Sequence, residues 1–278
     1  MEPTLRNGFF AGVVLLLFTG PLPAQEIMSY EQYQRFEHKE PYIIRLQSHA
    51  GTLLYFGSRH SFDPDDPQMD TLSRVFSDFS PDVVYTEAFP EQIYSLSRPE
   101  AIKRSGEFGL TWKLAGENDI PVYSLEPDRA DEVAYLQMQI WSDTQIVLFY
   151  TLRQVAQSHQ QQLSMDLSIV VPKYLTSLNQ RFGLTGPTTI EEFEQAVNRL
   201  LPGVDNWQTI PGSYFYPGPQ DPEYFTNRIA TDSNIFRDRH HVNMITEAVQ
   251  EGKKVFAVAG STHAVMQEPA LRSILDTK

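Results

Sequence analysis

Two apolar runs in this chain end in the same punctuation. Thr52 to His60 reads TLLYFGSRH, and Lys254 to His263 reads KVFAVAGSTH. A short run of β-branched, aromatic and aliphatic residues closed by a turn residue is the pattern of a strand. The closing glycine lets the backbone turn sharply or admit a close neighbour, so the histidine just beyond it belongs at the carboxyl end of a sheet. Sites in α/β proteins are built there. With 15 glycines and 7 histidines in 278 residues, chance would supply about 0.4 Gly-x-x-His matches. Two occur, each closing an apolar run; the blander alternative is a pair of unrelated loop histidines.

Between these two stretches the chain repeats a strand, loop and helix order. Tyr42 to Gln47 is expected as a strand, turned by Ser48 to Gly51 into residues 52 to 56, which leaves His49 solvent-facing in the turn. Asp63 to Pro67 breaks the chain and caps a helix whose apolar residues, Met69, Leu72, Val75, Phe76 and Phe79, recur at helical spacing. Asp82 to Thr86 is a short buried strand running directly into Glu87. Glu91 to Asn118 is helical with Gly and Pro punctuation, and Pro121 to Leu125 is a strand that runs into Glu126. Strand ends therefore offer His60, Glu87, Glu126 and His263, with exposed loop acids as the plainer account of the two glutamates.

From Ala130 to about Leu201 the apolar spacing is helical, and Thr189 and Glu192 have the spacing of a capping box. This segment reads as an insertion covering one side of the sheet. His159, in the polar run SHQQQ, reads as a surface residue. Residues 202 to 222 are rich in Pro, Gly and aromatics, the composition of a substrate-facing wall or lid, or of a packed connector. Ser233 is expected to cap a last long helix that stops at Gly252, with Arg237 near its start beside the buried face; Arg239, His240 and His241 compete for its role. Pro269 to Leu275 is expected as a short closing helix. Together these features predict a mixed α/β fold (α+β): a mixed, partly parallel central sheet with flanking helices and a large helical insertion. Residues 25 to 278 are expected to form one domain.

Charge and composition remove several classes of function. With 22 basic and 35 acidic residues the net charge is −13, which repels phosphate backbones, so no nucleic-acid partner is expected. There is no cysteine, hence no disulfide, thiolate metal site or cysteine nucleophile. Residues 1 to 24 read as an export signal, with Arg6 in the positive region, Gly8 to Thr19 as the apolar region and cleavage before Gln25. The expected location is periplasmic or secreted, with no stable membrane span; an uncleaved anchor is the alternative. Gly-x-Ser-x-Gly, Walker A, His-Glu-x-x-His and EF-hand patterns are all absent.

Taken in order, GSRH at Gly57 to His60, Glu87 in VVYTEAF, Arg237 in FRDRHHVNM and GSTH at Gly260 to His263 resemble the marks of the TraB/TIKI family. That family belongs to the wider erythromycin esterase and ChaN-like superfamily. It carries two Gly-x-x-His motifs near opposite ends of the domain, a glutamate at the end of the strand after the first, and an arginine on the helix before the second. The chain departs from the pattern after His263, where Ala264-Val265-Met266-Gln267 replaces the usual Leu or Val and glycine, and at His241, where a methionine is common.

The resemblance implies a metal-dependent hydrolase, peptidase-like, with manganese or cobalt as the ion and zinc as a third candidate, acting on a peptide or small ester. The implied ligands are His60, His263 and Glu87, a minimal set that leaves positions open for water and substrate. Glu87 or Glu126 would take the proton and Arg237 would stabilise the oxyanion; which glutamate is ligand and which is base stays open. Other branches of the superfamily imply two alternatives, a metal-free esterase with a histidine base and an exported haem- or iron-binding protein; a noncatalytic domain that presents the aromatic segment 202 to 222 to a partner is the plainer third reading.

Overall fold

The apolar run at 52 to 58 becomes strand β2 (Thr52–Ser58), paired antiparallel with β1 (Tyr42–Gln47) on one side. On its other side it pairs in parallel with β5 (Lys254–Gly260), the second apolar run. A computed structural model describes residues 27–160 and 165–276; the expected export signal lies outside them. Strands β3 (Val83–Thr86) and β4 (Val122–Ser124) complete a five-stranded sheet of order β1-β2-β5-β3-β4, parallel except at β1. The mixed α/β class expected from the sequence is the one observed. Ser48 makes the hairpin turn by accepting the backbone N–H groups of Ala50 and Gly51 at 3.1 and 3.0 Å, and His49 is exposed at its tip.

Both faces of the central strands are covered, which is why these strands read as unbroken apolar runs. Leu53 and Tyr55 of β2 and Val255 and Ala257 of β5 face helices α8 (Phe225–Gln250) and α9 (Ser261–Leu275), packing with Val242, Ile245, Val249 and Leu271. Leu54, Phe56, Phe256 and Val258 point the other way, onto α2 (Pro67–Phe79) and α3 (Arg98–Glu117). Asp66 caps α2 by accepting the N–H of Gln68, and Ser80 ends it in a left-handed conformation. A short turn of helix, α1 (Tyr30–Tyr33), precedes β1.

The helical insertion comprises α4 (Arg129–Met138), α5 (Asp143–Gln160), α6 (Leu167–Phe182) and α7 (Ile190–Leu200). It was expected to cover one side of the sheet. Instead it builds a core of its own, around Phe149, Leu152, Leu175 and Phe193, and packs on α8. The reason lies in α5, whose residues 146 to 152 are all buried, so it needs neighbours all round rather than on one stripe. The aromatic segment 202 to 222 closes this second core with Trp207, Ile210 and Phe215, as a packed connector. His159 is exposed on α5.

Two helix starts and one cap differ from expectation. Helix α8 starts at Phe225, where the Asn227 side chain accepts the backbone N–H of Tyr224 at 3.0 Å. Ser233 is therefore interior: it is fully buried and donates to Glu132 at 2.5 Å, and Arg237 sits mid-helix. Helix α9 begins at Ser261 directly after β5 and carries Pro269 inside it, so His263 lies in its first turn. At α7, Thr189 accepts the N–H of Glu192, but the Glu192 carboxylate takes Thr188 rather than closing the box. Among the described residues no helix is long and apolar enough to cross a membrane.

In the β2–β5 register Gly57 stands opposite Ala259 and Ser58 opposite Gly260, so the two motifs lie side by side. Each glycine makes room for the other motif. A Cβ on Gly57 would lie 2.8 Å from the Cβ of Ala264 and 3.1 Å from the Cα of Ser261; one on Gly260 would lie 2.9 Å from His60 Nε2. Gly57→Ala is expected to destabilise the fold by about 1–3 kcal/mol. Gly212→Ala, where the nearest atom is 3.9 Å away, should stay within about 0.5 kcal/mol of the parent; urea unfolding curves measure both.

Candidate active site at the strand ends

Because β2, β5, β3 and β4 run in parallel, the residues just past their ends gather on one side of the sheet. There His60, Glu87, Gly260 and His263 line a cleft of about 300 Å³, together with Tyr30 and Pro217. The Glu87 carboxylate is held from three directions. Its Oε2 accepts the backbone N–H of Gly260 at 2.9 Å, its Oε1 accepts Arg237 Nη2 at 2.9 Å, and His263 Nε2 stands 3.5 Å from Oε1.

Each histidine is oriented through its Nδ1 by a carboxylate that is almost fully buried. His60 Nδ1 lies 2.6 Å from Glu107, and His263 Nδ1 lies 2.6 Å from Asp238. Glu107 reaches the site because α3 breaks at Ser105 and Gly106. Gly106 adopts a positive φ of 59°, and a Cβ there would lie 2.8 Å from the carbonyl oxygen of Ser61. The same carboxylate accepts the Ser58 hydroxyl at 2.8 Å and the Ser61 N–H at 3.3 Å, which fixes the loop that carries His60.

Charges alternate along the site. Burial alone would push the His263 imidazolium down, but Asp238 and Glu87 outweigh it and raise its pKa to about 10. Burial would raise Glu87; His263, Arg237 and the Gly260 N–H instead hold it well below the usual carboxylate range. His60 is raised chiefly by its bond to Glu107, and its side chain is 56% exposed. His241 is pushed well down by burial, reinforced by its cationic neighbours His263 and Arg237, so it is neutral.

Arg237 has a different place from the one its sequence position suggested. Nε and Nη2 grip both oxygens of Glu126, Nη2 also reaches Glu87, and Nη1 donates to Asn234 at 3.0 Å. Four of its five N–H groups are thus committed. It acts as a clamp on Glu87, with little left to offer an oxyanion. Glu126, spent on Arg237, does not line the cleft and meets the site only through that guanidinium.

Asp238, His241 and His263 form a buried group that could hold a metal ion, with one ligand atom from each lying within 4.8 Å of the others. Asp238 Oδ2 and His241 Nε2 are buried without hydrogen-bond partners, which fits a ligand between them. The present protons are arranged otherwise. Gln267 Nε2 lies 2.6 Å from Asp238 Oδ1 and 3.1 Å from His241 Nδ1, and Tyr55 donates to the Gln267 oxygen at 3.0 Å. Gln267 therefore points its amide N–H groups at His241 Nδ1, which leaves the proton on Nε2. Loading an ion on His241 Nε2 would move that proton to Nδ1 and turn the amide, and the proton released would be the one His263 gives up to become a ligand. The predicted set His60, Glu87 and His263 shares one cleft but is not drawn together as tightly.

Sequence reasoning therefore named His60, Glu87 and His263, which the fold brings together, and missed Glu107, Asp238 and Gln267. Gly106 inside a helical run marked the break that delivers Glu107. Asp238 stands one residue from Arg237 and three from His241, on the buried side of α8. Comparison with protein-family models, with curated proteins and with solved structures finds no match to this chain.

Two outcomes follow. His263 carries a pKa of about 10 against an ordinary 6.5, so its contribution is complete below pH 6.5 and is lost as pH rises toward 10. In chelated protein, stability should fall across that window by up to about 1.4 kcal/mol per pH unit, and His263→Gln should lack this slope in urea unfolding. Arg237→Ala leaves Glu87 and Glu126 uncompensated and should cost about 3–5 kcal/mol in the same measurement.

Proposed function

We propose that this protein is a hydrolase working in the cleft beside Gly260, on the acyl bond of a peptide or small ester, with His60, Glu87 and His263 presented to a divalent ion. The observation that carries this reading is the matched pair of 2.6 Å contacts from His60 Nδ1 to Glu107 and from His263 Nδ1 to Asp238. Histidines that bind metal generally give their other ring nitrogen to a carboxylate, which fixes the ring and its tautomer. Both Nε2 atoms are left toward the cleft that Glu87 also lines. A divalent ion, manganese or cobalt by the family resemblance, supplies an acidified water and polarises a carbonyl.

The protein's own groups divide the remaining work. Glu87, locked between Arg237, His263 and the Gly260 N–H, is a permanently charged ligand and a poor base. His60 is half exposed, so its Nε2 is the group with access to solvent and substrate. Arg237 holds Glu87 in place and is a positioning residue.

A second reading rests on a separate observation: both ring nitrogens of His263 face carboxylates, and its proton is strongly held. In that reading His263 is a fixed imidazolium, and His60, oriented by Glu107, is the general base of a metal-free hydrolase.

A screen of peptides and esters with chelated protein, and with manganese or cobalt restored, tests both. His60→Ala and His263→Ala should each lower kcat/KM by about 100-fold or more. Activity that survives chelation and still requires His60 selects the metal-free reading. Both variants turning over substrate as the parent does would exclude hydrolysis at this cleft.

A further inference from the structure

On the far side of the Arg237–Glu126 pair lie two adjoining cavities of about 560 and 160 Å³, which share Glu126, Arg129, Tyr150 and Tyr174. The larger is of the size that takes a small organic ligand. Three arginines from the helical insertion line these cavities: Arg129, at the start of α4, lines both, Arg153 on α5 lines the smaller and Arg181, near the end of α6, lines the larger. Such a cluster is unexpected in a chain with 35 acidic and 22 basic residues.

The acids beside the pocket are already engaged. Glu126 gives both oxygens to Arg237, Glu132 takes Arg129, Tyr150 and Ser233, and Asp128 caps α4 through the Ala130 N–H. Arg153 and Arg181, among the described residues, have no carboxylate within ion-pair distance. Each is instead held over a ring: Arg153 lies 5.8 Å from the Phe149 centroid and Arg181 lies 5.3 Å from that of Phe182. Arg129 lies 4.9 Å from that of Tyr150. Stacking fixes a guanidinium while leaving its in-plane N–H groups free to bind an oxyanion bidentately. Burial and the neighbouring Arg237 and Arg129 lower the pKa of Arg153, outweighing the opposing pull of Glu132.

We propose that this pocket binds an oxyanion, phosphate or carboxylate, attached to a flat apolar group. Arg181 in the larger cavity and Arg153 in the adjoining smaller one receive the anion, and Phe89 and Phe182, which line the larger cavity with Arg181, cover the apolar part. The proposal does not depend on the hydrolytic reading of the neighbouring cleft.

Isothermal titration of the metal-chelated protein with phenyl phosphate, benzoate and phenol tests it. At least one of the two anions should bind more tightly than phenol, and the tighter of them identifies the oxyanion. Arg153→Gln and Arg181→Gln should each weaken that binding about tenfold. Arg181 is exposed, so its variant retains the fold and keeps the test decisive. His60→Ala should bind the anion as the parent does, which separates this site from the cleft. Phenol binding as tightly as both anions, or anion binding unchanged in both arginine variants, would overturn the proposal.

Discussion

The parallel pairing of β2 with β5 is the contact on which the rest of the structure depends. It sets Ser58 opposite Gly260 and so brings together two motifs that lie about 200 residues apart in the chain. Neither glycine can be replaced without striking the other copy, because Gly57 touches the start of α9 and Gly260 touches the His60 ring. The repeated Gly-Ser-x-His is thus one interlocked structure in which each half supplies the space the other occupies. A one-residue slip in this register would turn every apolar side chain of β2 to the opposite face, so core packing also holds the two histidines in place.

Around that junction runs a line of alternating charge: Asp238, His263, Glu87, Arg237, Glu126. Buried ions are tolerated only when paired and hydrogen-bonded, and here each internal member has an opposite charge on both sides. The arrangement explains why Glu87 stays ionised and His263 stays protonated despite burial. It also separates two regions. The cleft with its half-exposed His60 lies at one end, and beyond Glu126 the insertion forms a pocket with spare arginines.

Much of the frame was legible in residue order. The hairpin, the four parallel strands and the helices flanking them follow from apolar runs, helical periodicity and turn residues such as Ser80 and Gly252, both of which adopt positive φ. The same local signals failed where tertiary context took over. Ser233 looks like a cap but lies inside α8, because Asn227 provides a cap earlier and Ser233 has a buried partner in Glu132. Pro269 suggests a helix start but sits within α9, which the end of β5 had already begun. The insertion packs on itself because α5 is buried on every side, a property that apolar spacing alone does not separate from a one-faced helix.

At the site, the sequence by itself determined which groups stand at strand ends: His60, Glu87, Glu126 and His263 all follow short apolar strands whose direction their neighbours dictate. The tertiary structure alone decided what those groups do. Glu107 meets His60 across 47 residues and Asp238 meets His263 across 25, and a hydrogen bond between distant residues leaves no periodic trace in either segment. Arg237 became a clamp, and Glu126 its partner, because a buried guanidinium must satisfy its N–H groups with whatever carboxylates the fold delivers.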